Sequence, residues 1–298
     1  MENSSSRRKM LKQVAAASLA ATAFPSINAL ASSDMEENTK LKGKINHSVC
    51  QWTYSYLPLE ELCVLVKKLG LNAIDLIAPK DWPVLQKHGI TCSMCYTAGR
   101  ISLTEGWNRP DLHPQLIAEF TEAIPLVAQA GYKNLICFSG NRKGMDDATG
   151  LKNCVTGLKQ IMPLAKKHGV IIQMELFNSK VDHKDYMADK SAWGVELCKQ
   201  LGSPNFKLLY DIYHMQINEG DVIRTIKDNH QYFGHYHTAG VPGRHEIDES
   251  QELFYPAIMR AIVETGYKGY VAQEYIPTGK TDKEKVAALK KAISICDV

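Results

Sequence analysis

The chain has 298 residues, is 45% hydrophobic and carries a formal charge of +3. That composition suits a globular protein with a sizeable core. Part of the charge lies in the first dozen residues, and no run of Lys and Arg interleaves with aromatics, so nucleic acid is not favoured as a partner.

The N-terminal segment "SSRRKMLKQVAAASLAATAF" sets Arg7 and Arg8 before a short Ala-rich apolar stretch, Val14 to Phe24. The stretch is shorter than the roughly 20 residues that span a bilayer. Ala29 and Ala31 supply A-x-A spacing, so cleavage is expected after Ala31, with no stable membrane anchor afterwards. "SRRKMLK" resembles a twin-arginine export signal, with Met10 where Phe is more usual. The expected organisation is a signal peptide over 1–31, a polar linker over 32–44 and a folded body over 45–298, exported to the periplasm. Folded cargo forms in the reducing cytoplasm, so the eight cysteines are expected to stay unpaired. The C-x-x-C of "TCSMCY" lies in a strand-like run and reads as core.

From Ile45 onward, short β-rich runs alternate with longer amphipathic stretches. The strand candidates are "INHSVCQW", "AIDLIA", "GITCSMCY", "NLICFSG", "VIIQMELF", "FKLLYDIYH", "YFGHYHTA" and "YVAQEY". Helical stretches between them include "PLEELCVLVKKLG", "LIAEFTEAIPLVAQAG", "GLKQIMPLAKKHG" and "YPAIMRAIVETG", each ending in a glycine that stops the helix. Eight βα units in about 250 residues predict a single-domain α/β protein, a closed (β/α)8 TIM barrel. An open doubly wound sheet would want a Gly-rich phosphate turn after its first strand, and "CQWTYSYLP" has none. The long loop "TAGRISLTEGWNRPDLH" reads as a lid, with Trp107 as its substrate-contacting residue.

Chemistry on such a barrel gathers at the C-terminal strand ends. The last polar residues of the fifth to eighth strands are Glu175, Asp211, His237 and Glu274. Three carboxylates in one mouth repel one another, and a divalent cation removes that repulsion. Oxygen donors with one imidazole suit Mn²⁺ best, with Mg²⁺ or Co²⁺ as alternatives; structural zinc prefers Cys and His. In "GHYHTAGVPGRHEID", His235 shares the inward side of the strand with His237 but lies deeper, either supporting it or merely packed. Arg244 offers a planar fork to a carboxylate or to substrate hydroxyls, and His245 and Glu246 either orient it or face solvent.

The strings "MELFN", "YDIYHMQ", "HYHTAGVPGRHEID" and "YVAQEYIP" resemble the hydroxypyruvate isomerase family within the xylose isomerase-like TIM barrels, from about Asn46 to Thr278. The resemblance implies that Glu175, Asp211 and Glu274 bind the metal. It also implies that the two glutamates exchange protons with substrate, converting hydroxypyruvate to tartronate semialdehyde through an enediolate. One position departs: His237 stands where these isomerases often carry Gln. The ketose 3-epimerases of the same superfamily use His there and also match His214 and Arg244, which the resemblance assigns to substrate binding. The alternatives are therefore a ketose 3-epimerase or keto-sugar lyase on the same centre, and, in another class, a non-catalytic sugar-binding barrel. The related metal-dependent DNA-repair barrel needs more histidines and a basic groove. The expected partner is a small sugar or hydroxy-keto acid, and homo-oligomerisation is left open.

Overall fold

The computed structural model describes residues 40–99 and 102–298, so the leader over 1–31 and the linker up to residue 39 lie outside the described residues. Each of the eight strand candidates contains a strand: β1 (Asn46–Val49), β2 (Ala73–Ile74), β3 (Thr91–Cys92), β4 (Asn134–Cys137), β5 (Ile171–Glu175), β6 (Phe206–Asp211), β7 (Phe233–Thr238) and β8 (Tyr270–Gln273). They pair in parallel, in the order β1-β8-β7-β6-β5-β4, with β2-β3 as a separate pair. Single bridges, Cys50↔Asp75 and Cys95↔Leu135, join that pair to β1 and β4 and complete the ring. Parallel strands covered on both faces bury nearly every residue, which explains why these segments read as apolar runs.

The helices are α1 (Leu59–Lys68), α2 (Trp82–Lys87), α3 (His113–Gln129), α4 (Asp147–His168), α5 (Ser191–Leu201), α6 (Ile212–Asn218), α7 (Val222–Asn229), α8 (Tyr255–Glu264) and α9 (Asp282–Cys296). In α1, Leu62, Cys63, Leu65 and Val66 form the buried face. Glu60 and Glu61 in its first turn and Lys67 and Lys68 in its last complement the helix dipole. α4 begins ten residues before its sequence candidate because Asp146 caps it, accepting from the Thr149 N–H at 2.9 Å. Such a cap contributes about 1 kcal/mol. At its other end Gly169, with φ +67°, adopts the left-handed conformation that stops the helix.

Two expectations change. The sixth strand does not run through His214; it ends at Asp211, whose carboxylate accepts from the His214 N–H at 3.2 Å and starts α6 directly. That cap turns the chain at the point where β6 reaches the barrel mouth. The second change concerns Trp107, which is only 1% exposed. Its ring packs edge-on to Phe120 at 5.4 Å, and its backbone N–H donates to the Phe138 carbonyl at 3.2 Å. Trp107 therefore pins the long loop to the barrel wall and offers no lid face to substrate.

All eight cysteines are buried and free, including Cys92 and Cys95. Among the described residues no helix is long and apolar enough to cross a membrane.

Candidate active site

Glu175 and Asp211 are the last residues of β5 and β6, His237 is the penultimate residue of β7, and Glu274 directly follows β8. The β6–β7 register sets Asp211 opposite His237. Each of the four offers one donor atom, and these atoms all lie within 4.8 Å of one another. His237 Nδ1 lies 2.8 Å from Glu274 Oε2 and 3.1 Å from Glu175 Oε1. All four side chains are buried. Asp211 Oδ2 has no hydrogen-bond partner; Arg244 Nη2 at 3.5 Å and His214 Nε2 at 3.6 Å are its ionic neighbours.

Burial, reinforced by the charge on Glu274, pushes the Glu175 carboxyl up to about 7 and the Asp211 carboxyl up to about 8. Burial acts on Glu274 in the same sense, but Arg244, His237 and Trp52 together hold it well below the usual carboxylate range. Arg244 Nη2 donates to Glu274 Oε2 at 2.6 Å, and Trp52 Nε1 donates to Oε1 at 2.8 Å. The guanidinium lies over the rings of Trp52 and Tyr213, 5.3 and 5.5 Å from their centroids.

An orphaned carboxylate oxygen, crowded acids raised by burial, and an oxygen-rich donor set with one imidazole fit a divalent cation such as Mn²⁺, Mg²⁺ or Co²⁺. Glu175, Asp211, His237 and Glu274 would hold it. Two other groupings share His237: Cys50 with Glu274, and Asp75 with His235. Burial raises the Cys50 thiol well above its ordinary value, so it stays protonated and is a poor ligand.

The other expected residues fall around this cluster. His214 is buried against Phe177, His183 and Tyr213, with Nδ1 2.7 Å from Asn178 Nδ2. His235 lies deeper than His237, and its Nε2 meets Asp75 Oδ2 at 3.2 Å. His245 and Glu246 do not orient Arg244. His245 Nδ1 faces the Ile276 carbonyl at 3.2 Å, and Glu246 accepts from the N–H and hydroxyl of Thr278. They tie the loop after β7 to the loop after β8. Gly240 lets the two limbs of the loop after β7 approach closely, since a Cβ there would lie 2.4 Å from the Glu246 carbonyl oxygen.

Two residues in the cluster were not singled out from sequence. Trp52 follows β1 and is 39% exposed. Asp75 follows β2, fully buried, with Oδ2 2.7 Å from His237 Nε2. Its signal was a lone acid inside the apolar run "AIDLIA".

Residues 65–292 match the family model described as xylose isomerase-like TIM barrel. The chain is 35% identical to the 2-oxo-tetronate isomerase of Pectobacterium atrosepticum over 224 residues, covering 72% of this chain and 84% of that protein. It is 33% identical to the putative hydroxypyruvate isomerase of Homo sapiens over 108 residues, 36% of this chain and 39% of the relative. Coverage of curated relatives is thus uneven, and alignments to some span less than half their length, 44% and 39% in two cases. In fold, the chain is similar to the crystal structure of D-psicose 3-epimerase with D-tagatose from Clostridium cellulolyticum H10. The TM-score is 0.70 at 19% identity, over 85% of this chain and 98% of that one.

Proposed function

Because the chain belongs to the xylose isomerase-like TIM barrel family, we propose that it is a metal-dependent isomerase of small α-hydroxy carbonyl compounds, acting on 2-oxo acids such as hydroxypyruvate or 2-oxo-tetronate. Relatives named as isomerases of these compounds support the reaction class. The observation that carries the reading is the convergence of Glu175, Asp211, His237 and Glu274 within 4.8 Å. When bound, a divalent ion acts as a Lewis acid on the substrate's carbonyl and hydroxyl oxygens and makes the adjacent C–H acidic.

The rest falls to this chain's own side chains. Glu175 and Glu274 approach His237 Nδ1 from separate strands and so flank one reaction volume. One glutamate takes the proton from the hydroxyl-bearing carbon next to the carbonyl, leaving an enediolate. The other returns a proton to the former carbonyl carbon. The hydroxyl proton moves to the former carbonyl oxygen, so hydroxypyruvate becomes an aldehyde and 2-oxo-tetronate a 3-oxo acid, with no change in composition. Arg244 orients Glu274 and offers its fork to the substrate carboxylate. Tyr213, His214 and Phe177 wall the site and exclude water.

A second reading, ketose 3-epimerase, is favoured by His237 in the ligand set together with His214 and Arg244. Here the proton returns to the opposite face of the same carbon. Export through the twin-arginine route, read from Arg7, Arg8 and the A-x-A site, favours sugars as substrates. The deciding experiment is a panel assay of EDTA-treated protein with and without Mn²⁺, on hydroxypyruvate, 2-oxo-tetronate and free ketoses in D₂O. Mn²⁺-dependent conversion of a 2-oxo acid to its isomer, an aldehyde from hydroxypyruvate or a 3-oxo acid from 2-oxo-tetronate, with deuterium at the former carbonyl carbon, is the expected result. Exchange at C3 of a ketose would select the epimerase. Sugar binding without turnover on any substrate would select the non-catalytic barrel.

A further inference from the structure

Behind His237 lies a chain of buried polar groups that the proposed chemistry does not use. Asp75 Oδ2 meets His237 Nε2 at 2.7 Å and His235 Nε2 at 3.2 Å. Asp75 Oδ1 accepts from the Ser93 hydroxyl at 2.5 Å, and Ser93 Oγ is 2.6 Å from Ser48 Oγ. All five side chains are buried. An ionised carboxylate only accepts hydrogen bonds, so both ring nitrogens that face it must carry hydrogen. Nδ1 of His237 faces the carboxylates of Glu175 and Glu274, so without an ion it carries hydrogen as well. A cation that takes the place of that proton meets the Nδ1 lone pair, because Asp75 retains the hydrogen on Nε2.

The backbone supports the same arrangement. The Asp75 N–H donates to the Val49 carbonyl at 2.8 Å, and the Asp75 carbonyl accepts from Gln51 at 3.1 Å. Both sides of the residue are thus held to the end of β1 and the turn that follows it. Leu76 then takes φ +62°, a left-handed conformation unfavourable for a leucine. The N–H groups of Leu76 and Ile77 both point to one acceptor, the Met94 carbonyl. Strain of this kind persists only where the surroundings over-determine it, and it clusters at functional positions. Here it sits one residue from a buried acid.

We infer that Asp75 is a positioning residue: it locks His237 in the Nε2–H tautomer and presents Nδ1 as the metal-ligating atom, with Ser93 and Ser48 holding the carboxylate in place. This rests on the metal reading above. Outer partners of this type fix ring orientation and raise ligand basicity, and their loss lowers metal affinity about 10- to 100-fold. Asp75 itself touches neither the metal nor the substrate.

The test is Mn²⁺ binding by calorimetry to the wild-type protein and to Asp75→Asn, with thermal unfolding recorded for both. The asparagine has nearly the same volume, but its amide can present N–H to the ring and favour the other tautomer. The expected result is a cooperatively folded variant whose Mn²⁺ affinity falls about 10- to 100-fold. In protein loaded with diamagnetic Zn²⁺, long-range ¹⁵N–¹H spectra should show wild-type His237 bound through Nδ1 with a hydrogen-bonded Nε2–H. That signal should shift or vanish in Asp75→Asn. A purely structural acid would lower the melting temperature without changing the ring's ligating atom. Wild-type affinity in Asp75→Asn, or wild-type His237 ligating through Nε2, overturns the inference while leaving the metal centre intact. A wild-type protein that binds no Mn²⁺ refutes the metal reading and this inference with it. If Asp75→Asn does not fold, the wild-type spectrum alone decides between the two ring atoms.

Discussion

The two sides of the barrel contribute to the site in different ways. β5 to β8 are four to six residues long, pair continuously, and each brings one charged or imidazole side chain to the mouth at or next to its end. β2 and β3 are two residues each and are joined to the rest of the ring by single bridges. They contribute Asp75, which meets the cluster at His237, and Ser93, which donates to Asp75. A long regular ladder carries its end residues to predictable places. A short, kinked strand aims its side chain by local strain and by contacts far away in the chain.

The comparison breaks most visibly at the two glutamates. Glu175→Gln or Glu274→Gln keeps an oxygen donor but removes the base, so turnover should fall by roughly 10²-fold or more. The assay needs saturating Mn²⁺, since each change also removes a formal charge from the donor set. Effects through β2 should be smaller and should appear mainly in metal affinity, as expected for Asp75→Asn. A β2 variant that loses turnover as fully as the glutamate variants, at saturating Mn²⁺, would erase the distinction between the two sides.

The same contrast governs what could be read before folding. The eight strands were legible because parallel strands covered on both faces are apolar throughout. The four residues that converge were legible because strand ends in a barrel share one mouth. The start of α4 was hidden, since "GMDDATG" has the composition of a turn and only the Asp146–Thr149 contact makes it a cap. Trp107 was misread because its neighbours Gly106 and Asn108 suggest an open loop. Its burial depends on Phe120 and on Gly157, where a Cβ would lie 2.8 Å from the indole. Asp75 was passed over although it stood alone in an apolar run. Its partner His237 is 162 positions away, and no local pattern announces that pairing.

Arg244 tests whether the long-ladder side also discriminates substrate. Its guanidinium spans Glu274 and Asp211 while lying over Trp52 and Tyr213. Lysine keeps the charge but loses the planar fork and the stacking. Arg244→Lys should raise KM for a 2-oxo acid about 10-fold, the scale of one charge-assisted hydrogen bond. Mn²⁺ affinity should move less than KM. Equal kinetics for the two proteins would make this arginine a bystander to substrate binding and leave its contact with Glu274 as its whole role.

The smallest effect is expected at Trp52, which sharpens the comparison because it comes from β1, the strand that borders both sides. Trp52→Phe keeps a ring beneath Arg244 but removes the Nε1–H bond to Glu274 Oε1. The residue is 39% exposed, so water can replace the lost donor and the penalty is modest. About 0.5–1 kcal/mol, or roughly a 2- to 5-fold fall in kcat, is the expected size for a hydrogen bond with a solvent-accessible donor. Glu274 would still be held by Arg244 and His237, so the fall should not approach that of Glu274→Gln. A measured loss near 10²-fold would mean that the indole N–H, rather than the arginine, sets the position of Glu274. The site would then depend on β1 as strongly as on β8.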